Sequence, residues 1–271
     1  MPSTRVRDLN LYYEIEGRGP RLLYISGTGG DLRGQPRVFD GPLPRSFEVL
    51  AYDQRGLGQT DKPDVAYTMA DYADDAAALM DSVGWETALV VGVSFGGMVA
   101  QELALRHPER VERLVLCCTS SGGAGGSSYP LHELQSMTLE ERAVFQMSIT
   151  DARKDAAWQA QHPDEVQQAV QVAVTGDERR KATPGGEMGY RRQLEARAAH
   201  DTFERLPGLT MPVFLAGGKY DRQAEPANME TLRDRIPGAR LEFFEGGHGF
   251  TRDDPRAWER VTAFLLGQLD E

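Results

Sequence analysis

The sequence predicts an α/β fold, a mostly parallel eight-stranded sheet with helices on both faces and a helical insertion. Three observations predict it. Short, nearly continuous runs of Val, Leu and Ile alternate with helical stretches, the pattern of strands buried on both sides. The first two strand-like segments are joined too tightly for an intervening helix, so they read as antiparallel. Residues 129–207 carry helical periodicity and no strand signal, so one long insertion divides the sheet pattern.

The elements follow in order. Residues 4–10 and 11–16 form the opening pair. Residues 21–26 (RLLYIS) make a third strand ending in Gly27-Thr28-Gly29-Gly30, and residues 47–53 (FEVLAYD) a fourth ending in Gln54-Arg55-Gly56-Leu57-Gly58. Thr68-x-x-Asp71 has capping-box spacing and opens an amphipathic helix with acids near its positive end. Residues 88–93 are a fifth strand, leading through Ser94 into the helical FGGMVAQELALRH, which stops at Pro108. Residues 111–118 are a sixth. The stretch 122–128 (GGAGGSS) reads as a flexible hinge by composition. Thr138-x-x-Glu141 then opens another helix, and DEVQQAVQVAV and EMGYRRQLEARAAH continue the helical spacing. After Pro212 the first pattern returns, with strands at 213–217 and 240–244 and helices at 226–235 and 254–269. Residues 1–122 and 207–271 thus form one core. Residues 123–206 form an insertion of roughly 85 residues, too long for an ordinary connection and expected to serve as a lid.

Composition bounds the function. The chain has 271 residues, 40% hydrophobic and 26% charged, which fits one globular domain with an insertion. Its 30 basic and 41 acidic side chains give a net charge of −11, unsuited to nucleic acid, whose phosphates ask for a basic face. The adjacent Cys117 and Cys118 cannot build a disulfide framework and read as reduced thiols. No leader-like apolar stretch opens the sequence and no apolar run has membrane-spanning length. The expectation is a cytoplasmic protein with no membrane partner; a homodimer is left open.

Chemistry concentrates at Gly92-Val93-Ser94-Phe95-Gly96. Ser94 follows an apolar strand and precedes a helix, so a sharp turn would hold it strained with its oxygen exposed. A serine hydroxyl is a poor nucleophile until a base takes its proton, and the base needs an orienting partner. Of five histidines, His107 reads as a helix C-cap, and His132, His162 and His200 fall in the insertion at solvated or lid positions. His248, flanked by glycines in Glu245-Gly246-Gly247-His248-Gly249, follows the last strand and is the candidate base. Asp221 emerges after the strand before it and is the candidate acid, with helix N-capping as its alternative role. Asp53 also ends a strand, but it precedes the serine, and nearby Arg55 offers it an ion pair. The expected oxyanion donors are the backbone N–H of Phe95, at a helix N-terminus, and that of Thr28, with Gly29 next.

These residues resemble the α/β-hydrolase superfamily, over about 5–120 and 207–271, through YDQRGLGQTDKP, GVSFGG, HPERV and the loops of Asp221 and His248. LNLYYEIEGRGP and GGDLRG are most similar to the 3-oxoadipate enol-lactonase and carboxylesterase branch. The resemblance implies an α/β-hydrolase fold with a variable cap at 123–206. It also implies hydrolysis of a small-molecule ester or lactone through an acyl-enzyme on Ser94, without metal or cofactor. One departure is Ser26-Gly27, where many relatives carry His-Gly. A charged substrate would need an arginine facing the pocket, for which Arg33, Arg191 and Arg192 are candidates.

Other readings stand beside this one. Gly27-Thr28-Gly29 after a strand, with Asp53 ending the next, suggests a dinucleotide site. Leu32 at the third glycine position and Pro36, Pro42 and Pro44 where the phosphate-binding helix should run oppose it. A cofactor-free haloperoxidase, a carbon–carbon bond hydrolase or a non-catalytic receptor could use the same scaffold. There is no H-E-x-x-H and no histidine cluster at metal-ligand spacing.

Overall fold

The computed structural model describes residues 3–269. Eight strands form one sheet: β1 (Ser3–Val6), β2 (Leu9–Gly17), β3 (Arg21–Ile25), β4 (Glu48–Tyr52), β5 (Ala88–Val93), β6 (Val111–Cys117), β7 (Val213–Gly218) and β8 (Arg240–Phe244). Their order across the sheet is β1-β2-β4-β3-β5-β6-β7-β8. β1 pairs with β2, and β2 with β4, antiparallel; all other pairings are parallel.

The inner strands bury alternate residues on opposite faces, as a period of two requires. Leu23, Ile25, Val90, Leu114, Leu116 and Leu215 face one core. Helices α1 (Met69–Ser82) and α2 (Phe95–Arg106) lie over it, together with α7 (Pro226–Arg235). Leu22, Val91, Val115, Phe214 and Ala216 face the other, covered by Phe39, Leu43 and Phe47 and by α9 (Arg256–Leu265). On α1 the buried Met69, Tyr72, Ala73, Ala76, Leu79 and Met80 follow the helical stripe, and the Thr68–Asp71 capping box closes its first turn.

Between β6 and β7 lie α3 (Leu139–Thr150), α4 (Ala156–Gln161), α5 (Pro163–Ala182) and α6 (Gly186–Ala198), with a small core of their own from Leu131, Leu134, Ile149 and Leu194. The C-terminal end of α3 is stitched to the sheet's loops. Ile149 O accepts from Arg222 N (3.0 Å), Thr150 O from His248 N (2.6 Å), and Ala152 N donates to Tyr220 O (2.8 Å).

Three local expectations need correction. The first hairpin turns at Arg7–Asp8, not after residue 10. Arg7 takes φ 51° while its guanidinium reaches Asp71 and Asp75 of α1, an anchor with no local signature. The last helix is shorter than 254–269: α9 covers Arg256–Leu265, and a short α8 (Phe250–Asp253) precedes it, the two separated because Asp254, before Pro255, is pushed to an extended conformation (φ −119°, ψ 108°). The glycine stretch after β6 is clamped rather than loose. At Gly122 (φ 69°) a Cβ would lie 1.8 Å from His200 O, so its glycine permits close approach to the chain leaving α6.

Candidate active site

β5 runs straight into Ser94, and α2 starts at the next residue. Ser94 has φ 56° and ψ −116°, a region that non-glycine residues enter only when their surroundings impose it. The imposition is steric. A Cβ on Gly92 would sit 2.4 Å from Gly96 O, and one on Gly96 would sit 2.0 Å from Ile25 O. Only glycine lets the turn close that tightly against β3. Thr119 Oγ1 donates to Ser94 O at 2.8 Å and fastens the turn from beneath.

The three side chains chosen from sequence meet above the C-terminal edge of the sheet. His248 Nε2 lies 2.9 Å from Ser94 Oγ, and His248 Nδ1 lies 2.7 Å from Asp221 Oδ2. A carboxylate accepts only, so Nδ1 carries the imidazole proton and Nε2 presents a lone pair to the serine. Asp221 is buried, and its Oδ1 accepts N–H bonds from Gln223 (2.8 Å) and Ala224 (2.9 Å). Those bonds aim Oδ2 at the ring.

The loop after β3 lies beside the serine, where a Cβ on Gly27 would be 3.4 Å from Ser94 Cβ. Gly29 N donates to Gln193 Oε1 of α6 at 2.8 Å, so that N–H is committed. Neither Thr28 N nor Phe95 N has a hydrogen-bond partner among the described residues. Gln54 Nε2 donates to Ser26 O at 2.8 Å and braces the loop. The sequence does not single out Gln54, Gln193 or Gln223, because glutamines 25 to 164 residues from their partners leave no local pattern.

Other candidates resolve differently. Asp53 does not pair with Arg55. Its carboxylate accepts from Leu32 N (2.7 Å) and Gln59 N (2.8 Å), and burial raises its pKa to about 6. Arg55 turns instead to Asp75 and Asp8. Arg33 lines a cleft over the β3 loop, held by Asp31, whereas Arg192 pairs with Asp64 and Glu195 and Arg191 is exposed beside Glu195. Cys117 and Cys118 are free and buried. Cys118, Asp221 and His248 gather ligand atoms within 4.8 Å, but burial and the Asp221 charge push the Cys118 thiol far up, away from the thiolate a metal prefers. Among the described residues no helix is long and apolar enough to cross a membrane.

His107 caps α2 and meets Asp74 Oδ1 at 2.8 Å. His200 is buried rather than solvated. Burial lowers its pKa to about 4, and its Nε2 approaches Ser120 O. Between pH 6.5 and 4 the unfolded chain therefore takes a proton the folded chain refuses. Stability is full above 6.5 and falls toward pH 4, by up to about 3 kcal/mol. Asp53, with its raised pKa, tilts stability the opposite way below pH 6. The expected readout is thus a difference: a His200→Gln protein loses less stability than wild type between pH 7 and 4. Parallel curves in urea melts would contradict it.

Comparison with known proteins agrees with the architecture. Residues 20–254 match the family model described as alpha/beta hydrolase fold. The chain is 29% identical to the putative carbamate hydrolase RutD of Azorhizobium caulinodans, covering 100% of both chains. It is 24% identical to 3-oxoadipate enol-lactonase 2 of Acinetobacter baylyi, over 97% of this chain and 96% of that protein. The crystal structure of the enol-lactonase from Burkholderia xenovorans LB400 superposes with a TM-score of 0.76, 26% identity and full coverage of both. With the sheet order, the strained serine turn and this match, the chain belongs to the α/β-hydrolase family.

Proposed function

We propose that this protein is a serine hydrolase that cleaves a small carboxylic ester or lactone through an acyl-enzyme on Ser94. The observation that carries the reading is the continuous hydrogen-bonded chain from Ser94 Oγ through His248 to Asp221, on a serine held at positive φ. His248 Nε2 takes the hydroxyl proton as Oγ attacks the carbonyl carbon. The N–H groups of Phe95 and Thr28 stabilise the resulting oxyanion, and Asp221 holds the tautomer and the imidazolium. The alcohol leaves with the proton from Nε2, and water completes the turnover. The helices at 123–206 serve as the cap that excludes solvent and selects substrate. Quenching the protein during turnover of an activated ester tests this: the acyl mass is expected on the peptide carrying Ser94, and turnover with no adduct at any time would count against it.

A preference in substrate charge is supported by the cleft of about 270 Å³ that opens on Thr28 and Gly29; Ser94 and His248 do not line it, so it would hold a part of the substrate away from the reacting carbonyl. It is lined by Arg33, Lys62, Arg142, Arg179 and Arg180 against only Asp31 and Asp177. Asp31 engages Arg33, and Asp177 engages Arg180. Arg142, Arg179 and Lys62 have no carboxylate at ion-pair distance among the described residues; Lys62 is spent on the Gly58 and Thr60 carbonyls. In a chain of net charge −11 this local excess favours a substrate with a carboxylate remote from the scissile bond. Arg179→Ala combined with Arg142→Ala is expected to lower kcat/KM for such an ester roughly five- to tenfold, about 1 kcal/mol, and to leave a neutral ester of the same size unchanged. Equal losses on both esters would refute the charge preference.

A further inference from the structure

The imidazole of His248 has more partners than a neutral ring can serve. With Nδ1–H given to Asp221, Nε2 has one lone pair. Two donors reach for it: Ser94 Oγ at 2.9 Å and the side-chain amide nitrogen of Gln223 at 2.7 Å. Gln223 is 7% exposed. Its backbone is pinned on both sides, the N–H donating to Asp221 Oδ1 (2.8 Å) and the carbonyl accepting from Tyr129 N (2.7 Å). Only its side chain is free to rearrange.

We propose that Gln223 is the positioning residue of the second half-reaction. In the free protein it keeps the place at Nε2 that the hydrolytic water takes after acylation, and it then holds that water. The inference rests on the acyl-enzyme reading above. Once Ser94 is acylated, Oγ is an ester oxygen with no hydrogen, and Nε2 is open to another donor. A water there gives one hydrogen to Nε2 while its oxygen bonds to the acyl carbon and the carbonyl π pair moves onto the carbonyl oxygen. That oxygen then re-forms the double bond, the carbon–Oγ bond breaks, and Oγ takes the proton back from Nε2. The products are the carboxylic acid and the restored serine. The water takes the Nε2 lone pair that the amide N–H held, so in this step the amide turns and presents Oε1. Oε1 accepts the water's second hydrogen, which fixes the direction of its attacking lone pair.

An alcohol has no second hydrogen for Oε1. Gln223 therefore makes the acyl-enzyme prefer water over methanol, and this ratio does not depend on how much protein is folded. The test uses the full chain with Gln223→Met and Gln223→Leu, an activated ester and added methanol. The expected result is a fall in kcat of roughly tenfold with a matching fall in KM, leaving kcat/KM, which reports acylation, within about threefold. Acyl adduct accumulates on Ser94, and the methyl ester to acid ratio rises severalfold. An unchanged ratio, or kcat and kcat/KM falling together without adduct, overturns the proposal, since that is what mere support of the His248 ring would give. If wild type forms no adduct and Ser94→Ala still turns over, the acyl-enzyme reading itself fails and the role of Gln223 falls with it.

Discussion

Ser94→Ala is expected to reduce hydrolysis of an activated ester by roughly four to six orders of magnitude, about 5–8 kcal/mol of transition-state stabilisation. On the proposed mechanism no acyl-enzyme forms without Oγ, and only binding and the two proposed N–H donors remain to assist direct attack by water. Stability should change little. Alanine carries the same Cβ as serine into the same positive-φ turn, and Ser94 Oγ contacts His248 rather than filling a core. Comparing kcat/KM on a nitrophenyl ester and on a lactone, with melting curves beside them, checks the claim. A variant hydrolysing either substrate within tenfold of wild type would remove Ser94 from the mechanism.

Arg55→Met is expected to destabilise the fold by about 3 kcal/mol, a drop in Tm of roughly 10 °C. Arg55 leaves β4 and buries its guanidinium against α1, with Nε 2.8 Å and one terminal nitrogen 3.0 Å from the Asp75 carboxylate. The two side chains are 3% and 1% exposed. Removing Arg55 strands a buried carboxylate whose pKa burial already raises. Arg7, 2.9 Å away but more than a third exposed, holds part of that charge, which keeps the effect at the lower end of the range for a broken buried pair. The double variant Arg55→Met with Asp75→Leu should recover most of the loss. A single variant losing less than about 1 kcal/mol in chemical denaturation would show the pair contributes little.

Much of the site could be read before any coordinates. Ser94, Asp221 and His248 each follow an apolar run, Ser94 and His248 beside glycines that a tight turn requires, and runs and turns are local patterns. Gly92, Gly96 and the Thr68 and Thr138 capping boxes are legible for the same reason. The hairpin break at Arg7 and the break before Pro255 were placed wrongly or missed. The first depends on ion pairs to α1. The second was locally visible in Pro255, and the expected helix began too early, at Asp254 rather than Arg256, while the four-residue α8 before it has too short a run to show a helical period.

The partners of buried polar groups were out of reach. Arg55 stands two residues from Asp53 yet pairs with Asp75 and Asp8, because the turn after β4 sends the carboxylate and the guanidinium to different surroundings. Gln54, Gln193 and Gln223 show no periodicity, and each acts on a group far along the chain. Hydrophobic spacing and turn chemistry are written over a few residues, so strands, helices and the serine turn follow from order alone. Which amide meets which carbonyl, which cations share a cleft, and which hydrogen-bond donors converge on one imidazole nitrogen depend on distances through space, and these exist once the sheet and the inserted helices have closed on each other.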